Sequence, residues 1–184
     1  MIYAQLTSLI DELIAECEAR NISGSITIYG GTAMVYYFHD LRSTIDVDAT
    51  FTPYKEIKQV SKEIASRHNV PDDWFNSAVH DCIPPQPDNS PTLYYQGEKL
   101  TVFFASKEYL LAMKASSSRK SEKDLLDAAT LFNALDLNDT SDIERIISTY
   151  FNSKQFGAQE LFFEDITDLA HEFKQNEPTA DSRL

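Results

Sequence analysis

The sequence predicts an α/β (α+β) protein in which a sheet-bearing first half is followed by a C-terminal helical bundle. Three observations predict it: helix and strand patterns alternate through roughly the first 105 residues, strand patterns stop after Phe104, and the chain from Ser106 to Gln175 carries helical periodicity. The 184 residues are 42% hydrophobic and 24% charged, the mix of an ordinary globular chain, which excludes collagen-like, coiled-coil and wholly disordered classes. A formal net charge of −13 excludes a wrapping nucleic-acid binder, whose surface must be basic to neutralise phosphates, so any nucleic-acid role has to use a local patch.

The first element is a helix, because Ile2, Leu6, Leu9, Ile10, Leu13, Ile14 and Cys17 recur at helical spacing. The same segment carries Asp11, Glu12 and Glu16 and lacks the basic head and cleavage site of a signal peptide, and no apolar run in the chain is long enough to cross a bilayer. A cytoplasmic location is the expectation. Asn21 to Gly24 is turn chemistry, Ser25 to Tyr29 a β-rich run, and Gly30-Gly31 a tight turn into a helix over TAMVYYF. Ile45 to Phe51 alternates, with Ile45, Val47, Ala49 and Phe51 on one side and Asp46, Asp48 and Thr50 on the other. Thr52 and Pro53 supply an N-cap and first helical position for a helix with the stripe Tyr54, Ile57, Val60 and Ile64, ending near Arg67.

Asp72 to Val79 reads as one or two helical turns holding the single tryptophan, and a proline-rich loop follows. Leu93 to Tyr95 and Leu100 to Phe104, joined through Gln96-Gly97, read as a hairpin. Ser106 caps a helix to about Ala115, and Ser121 caps a second with the stripe Leu125, Leu126, Ala129, Phe132 and Leu135. Two more amphipathic helices cover about Ser141 to Phe151 and Gln155 to Gln175. The divisions are therefore 1–105 for the sheet-bearing core, 106–176 for the helical part and 177–184 for a polar tail. Cys17 and Cys82 have neither disulfide nor zinc spacing, and both read as small buried apolar groups; the scattered histidines show no metal-ligand spacing either.

Two features carry chemistry. Residues two apart on a strand share a face about 7 Å apart, so Asp46 and Asp48 present two carboxylates together. Such a pair suits Mg²⁺, which takes a few carboxylate oxygens plus waters and substrate phosphates; the plain alternative is a solvent-facing acidic strand. The Gly30-Gly31 turn leaves backbone N–H groups open at a helix start, where the dipole favours anions, and the Thr32 hydroxyl can donate to a phosphate oxygen. Neither a dinucleotide fingerprint nor a Walker loop is present.

Gly30-Gly31-Thr32-Ala33 followed by Arg42-x-Thr44-x-Asp46-x-Asp48 resembles the G-G-[ST]-x(n)-[DE]-x-[DE] signature of the nucleotidyltransferase superfamily with the DNA polymerase β-like fold. The chain is similar, more narrowly, to small bacterial nucleotidyltransferase-like proteins related to abortive-infection and toxin–antitoxin nucleotidyltransferases. The segments DDWFNSAV (72–79) and ASKEYLLAMKASSSRKSEKDLLD (105–127) extend the likeness over most of the chain. The resemblance implies a minimal nucleotidyltransferase fold with a mixed sheet, its helical half closing one side of the cleft. It implies that Gly30, Gly31 and Thr32 hold nucleotide phosphates, that Asp46 and Asp48 bind Mg²⁺, and that Lys114 contacts phosphate. Arg42 could reach a phosphate or make a surface ion pair. The implied reaction transfers a nucleoside monophosphate from a nucleoside triphosphate to a hydroxyl of transfer RNA or protein, in a toxin or phage-defence setting with an antitoxin partner and no membrane.

One departure matters. Many active members place a third carboxylate on a later strand, and the candidate strand Leu100 to Ala105 contains no acid. Asp81, Glu98, Asp124 and Asp127 are the nearest substitutes, with Asp124 also at capping-box spacing from Ser121. A silent nucleotide-sensing or protein-binding module of the same fold is the alternative. Lys107 to Lys123 holds five bases against two acids, a locally basic stretch that could face phosphates.

Overall fold

The computed structural model describes residues 1–39, 43–152 and 157–176. Among the described residues the chain forms two compact units, one of Met1–Ile83 with Asn89–Ser106, the other of Pro84–Asp88 with Lys107–Leu184. No described helix is long and apolar enough to cross a membrane.

The first unit contains α1 (Tyr3–Ala19), β1 (Gly24–Ile28), α2 (Gly30–Tyr37), β2 (Val47–Thr52), α3 (Tyr54–His68), β3 (Phe75–Asn76), β4 (Thr92–Gln96) and β5 (Leu100–Phe104). Its sheet has the order β3-β2-β1-β5-β4. It is mixed: β1 runs antiparallel to β2 and parallel to β5, β2 runs parallel to β3, and β4 and β5 form the expected antiparallel hairpin. Ile26, Ile28, Val47, Ala49, Leu100, Val102 and Phe104 are buried on it, and α1 buries the stripe from Leu6 to Cys17 that its periodicity predicts. Where β1 starts, a Cβ on Gly24 would stand 1.8 Å from the Thr52 carbonyl oxygen, so only glycine lets β1 and β2 approach there.

Four expectations are corrected in this unit. The acidic strand begins at Val47, not Ile45, because pairing starts with the Val47 N–H donating to the Trp74 carbonyl; Ile45 lies outside the ladder in a bend and is 87% exposed. α3 starts at Tyr54 with Pro53 as its N-cap residue, one position later than expected. Phe75–Asn76 is strand, not helix, because register pairing with Val47 and Asp48 overrides the local pattern; the turn that follows is a 3₁₀ segment over Ala78–Cys82. Cys17 is buried, and burial pushes its thiol up to about 11, but Cys82, at the end of that 3₁₀ turn, is exposed.

The second unit contains α4 (Lys107–Ala115), α5 (Glu122–Ala134), α6 (Thr140–Phe151), a 3₁₀ turn over Gly157–Gln159 and α7 (Glu160–Asn176). Tyr109 donates its hydroxyl to the carbonyls of Pro84 and Gln86, and the Gln86 N–H donates to Tyr150, so part of the proline-rich segment packs on these helices. Ser121 caps α5 as expected, accepting from the Asp124 N–H at 3.1 Å. The buried face of α5 is rotated from the expected one: Leu125, Leu126 and Leu135 are half-buried while Asp124, Asp127, Ala128 and Leu131 go inside with Ala129 and Phe132. Two carboxylates can occupy that face because Lys114 pairs with both. The expected start of the last helix at Gln155 and the tail 177–184 lie outside the described residues.

Candidate functional site

The glycine turn closes against the acidic strand. Tyr29, in extended conformation, precedes α2, and its N–H donates to the Asp48 carbonyl at 2.9 Å. Gly30 has φ of +59°, a conformation that side chains beyond glycine rarely adopt. A Cβ there would lie 2.9 Å from Asp48 Oδ2, so the missing side chain leaves room for the Asp48 carboxylate. Ala33 makes the first bond of the helix, to Tyr29 at 3.2 Å. The N–H groups ahead of it belong to the turn that in any helix lacks carbonyl partners and attracts anions.

Thr32 is buried, and its hydroxyl donates to the main-chain carbonyl of Asp46 at 2.7 Å. The hydroxyl therefore ties α2 to the acidic segment where a direct phosphate contact was expected of it. The Thr44 hydroxyl donates to the same carbonyl at 3.0 Å, and its N–H donates to the Met1 carbonyl at 3.0 Å, fixing the bend before β2. Val47 and Ala49 are fully buried while Asp46, Asp48 and Thr50 are half-buried, so the expected separation of apolar and acidic sides holds over Asp46 to Thr50, and Phe51, expected on the apolar side, is only half-buried.

Asn76 was not singled out by the sequence. Its Nδ2 donates to Asp46 Oδ2 at 3.3 Å, and its Oδ1 accepts from the Ala78 N–H at 2.8 Å. Asn76 is also the β3 register partner of Asp48, so it stands beside both acids. The only pointer in the sequence was its position at the end of the Trp-Phe-Asn stretch in a segment that the resemblance already included.

Lys114 belongs to the second unit. Its amine lies 2.8 Å from Asp124 and 3.0 Å from Asp127, with 13% of the Lys114 side chain exposed and none of that of Asp127. Burial pulls its pKa down, but Asp127 and Asp124 overcome this and the net shift is upward; burial raises the Asp124 carboxyl, but Lys114 overcomes it and the net shift is downward. The hydroxyls of Ser117 and Ser121 donate to Asp124 at 3.3 and 2.8 Å, holding the serine-rich connection to α5. Of the expected basic stretch, Lys114 is thus neutralised locally, while Arg119, Lys120 and Lys123 are exposed. Arg42 lies outside the described residues.

Two carboxylates beside a helix N-terminus fit Mg²⁺, which binds through one or two carboxylates with water and phosphate completing its shell. Asp46 and Asp48 would hold the ion, and it would supply charge neutralisation on a triphosphate. Among the described residues no group of three or more His, Cys, Asp or Glu gathers, and β5, parallel to β1, presents Thr101 and Phe103 between its buried residues, with no acid.

No curated protein matches the chain, and no solved structure matches it. The family model described as "Nucleotidyltransferase of unknown function (DUF6036)" matches residues 4–170, a span that takes in the glycine turn, Asp46, Asp48, Asn76 and Lys114. That span is most of the chain, and the protein therefore belongs to this family of nucleotidyltransferases.

Proposed function

We infer that the protein transfers a nucleoside monophosphate from a nucleoside triphosphate to a hydroxyl on RNA or protein, with Mg²⁺ held by Asp46 and Asp48. The observation that carries this reading is the Asp48 carboxylate set against Gly30 at the start of α2, where an anion-binding helix end and a cation-binding acid meet. Gly30 and Gly31 bind phosphate through the main chain, Thr32 fixes the acidic segment, Lys114 is the base that the likeness to the toxin relatives assigns to phosphate, and Arg42 is a second candidate whose alternative is a surface ion pair. Family membership supports the reaction class. The likeness to toxin and abortive-infection proteins supports a role in toxin–antitoxin or phage-defence systems, with transfer RNA or a protein as acceptor and an antitoxin as partner.

Incubation with each α-³²P-labelled nucleoside triphosphate, Mg²⁺ and either total transfer RNA or a cell lysate tests this. Label is expected on a macromolecule with one of the four nucleotides, and none with Asp46→Asn or Asp48→Asn. Release of phosphate without an adduct would instead assign hydrolysis.

The absence of an acid on β5 favours a second reading, a silent nucleotide-sensing module. It predicts nucleotide binding with no adduct in the same assay.

A further inference from the structure

The segment DDWFN is built around one of the two acids. Trp74 is buried and donates its indole N–H to the Ser61 carbonyl in α3 at 2.8 Å, anchoring the segment. Its own carbonyl accepts from the Val47 N–H, and Phe75 pairs in register with Val47. Lys58 Nζ donates to the Phe75 carbonyl at 2.5 Å, holding the next peptide from the α3 side. What this scaffold delivers is the Asn76 side chain, whose amide donates to Asp46 Oδ2 while its oxygen accepts from Ala78, an arrangement that fixes which end of the amide faces the acid.

We propose that Asn76 is a positioning residue that orients the Asp46 carboxylate for a divalent cation: it occupies Oδ2 and leaves Oδ1 as the atom that meets the ion. A neutral amide suits this task, because it donates a hydrogen bond without cancelling the charge on Asp46, as a lysine or arginine would, and without adding to the repulsion between Asp46 and Asp48, as a third acid would. Partners that hydrogen-bond to ligating carboxylates characteristically set metal affinity in this way. The inference rests on the reading of Asp46 as a metal ligand.

The test is Mn²⁺ binding to the full chain, followed by electron paramagnetic resonance up to millimolar metal, together with thermal stabilisation by Mg²⁺ and nucleoside triphosphate. The variants are Asn76→Ser, Asp46→Asn and the double variant. Serine keeps an acceptor for the Ala78 N–H and is too short to reach Asp46, so it separates turn formation from positioning. Asn76→Ser is expected to melt without ligand close to wild type, to weaken Mn²⁺ binding on the order of 10-fold, and to have no further effect once Asp46 is asparagine. Wild-type affinity in Asn76→Ser alongside weakened binding in Asp46→Asn would overturn the positioning role and leave the metal reading intact. An equal loss from Asn76→Ser in both backgrounds would also overturn it, since Asn76 would then act elsewhere. Absence of Mn²⁺ binding and of nucleotide stabilisation in the wild type would overturn the site reading and this inference with it.

Discussion

Gly30 meets two demands at one residue. Its φ of +59° disfavours any side chain, and the space a Cβ would fill is taken by Asp48 Oδ2 at 2.9 Å. Gly30→Ala is expected to cost about 1–2 kcal/mol from the backbone conformation alone, and to displace Asp48, so Mg²⁺-dependent nucleotide binding should fall more than stability does. Denaturant unfolding beside a nucleotide titration checks this; an alanine variant that binds like wild type would contradict it. Thr32 makes the complementary point. Thr32→Val keeps shape and removes the donor to the Asp46 carbonyl, which is expected to destabilise the first unit by about 1 kcal/mol, measured as a shift in denaturation midpoint. Gly-Gly-Thr was legible as a pattern. That the threonine hydroxyl turns inward to the main chain was not, because sequence shows a hydroxyl but not which of its neighbours folding brings within 2.7 Å.

At the scale of elements, the α4–α5 pair is held by Lys114 with Asp124 and Asp127. Lys114 titrates above its ordinary 10.5, so its share of stability is complete below that value and is lost only as pH rises through the folded one. Asp124 titrates below its ordinary 3.8, so its share is complete above about pH 4–5 and is lost as pH falls through the folded value. Asp124→Asn is therefore expected to destabilise by about 2 kcal/mol at neutral pH, with the gap from wild type narrowing at pH 3. Unfolding curves at the two pH values measure it, and an equal gap at both would contradict the ionic origin. Elements with strong local signals follow the expectation: the stripe of α1 from Leu6 on, that of α3 from Ile57 on, the β4–β5 hairpin and the Ser121 cap, whereas Ile2 and Tyr54, expected in those stripes, lie exposed at the helix starts. The misread ones were decided by distant partners. Phe75–Asn76 is a strand only because β2 lies beside it, and the α5 face turned because a lysine on α4 allows two acids to be buried.

At the scale of the whole molecule, the alternation of helix and strand ahead of a helical half led to the right class, and the two-residue spacing of Asp46 and Asp48 marked the acidic pair before any coordinates. Asn76 stayed hidden because it lies 30 residues from the acid it contacts and has no spacing rule of its own. Lys114 stands out in the sequence as a base in an apolar run, and the neighbours that explain its burial are Asp124 and Asp127 of the same unit. The proposed site binds a nucleotide through a divalent metal held by Asp46 and Asp48 beside the glycine turn. Thermal unfolding with each nucleoside triphosphate, with and without Mg²⁺, on wild type and Asp46→Asn tests it most directly, since no acceptor need be known. A ligand at about 100 times its Kd adds roughly 2.7 kcal/mol, a rise of a few degrees for a chain of this size. A Mg²⁺-dependent rise with one triphosphate that disappears in Asp46→Asn is the predicted result; no rise with any of the four at millimolar concentration would contradict it.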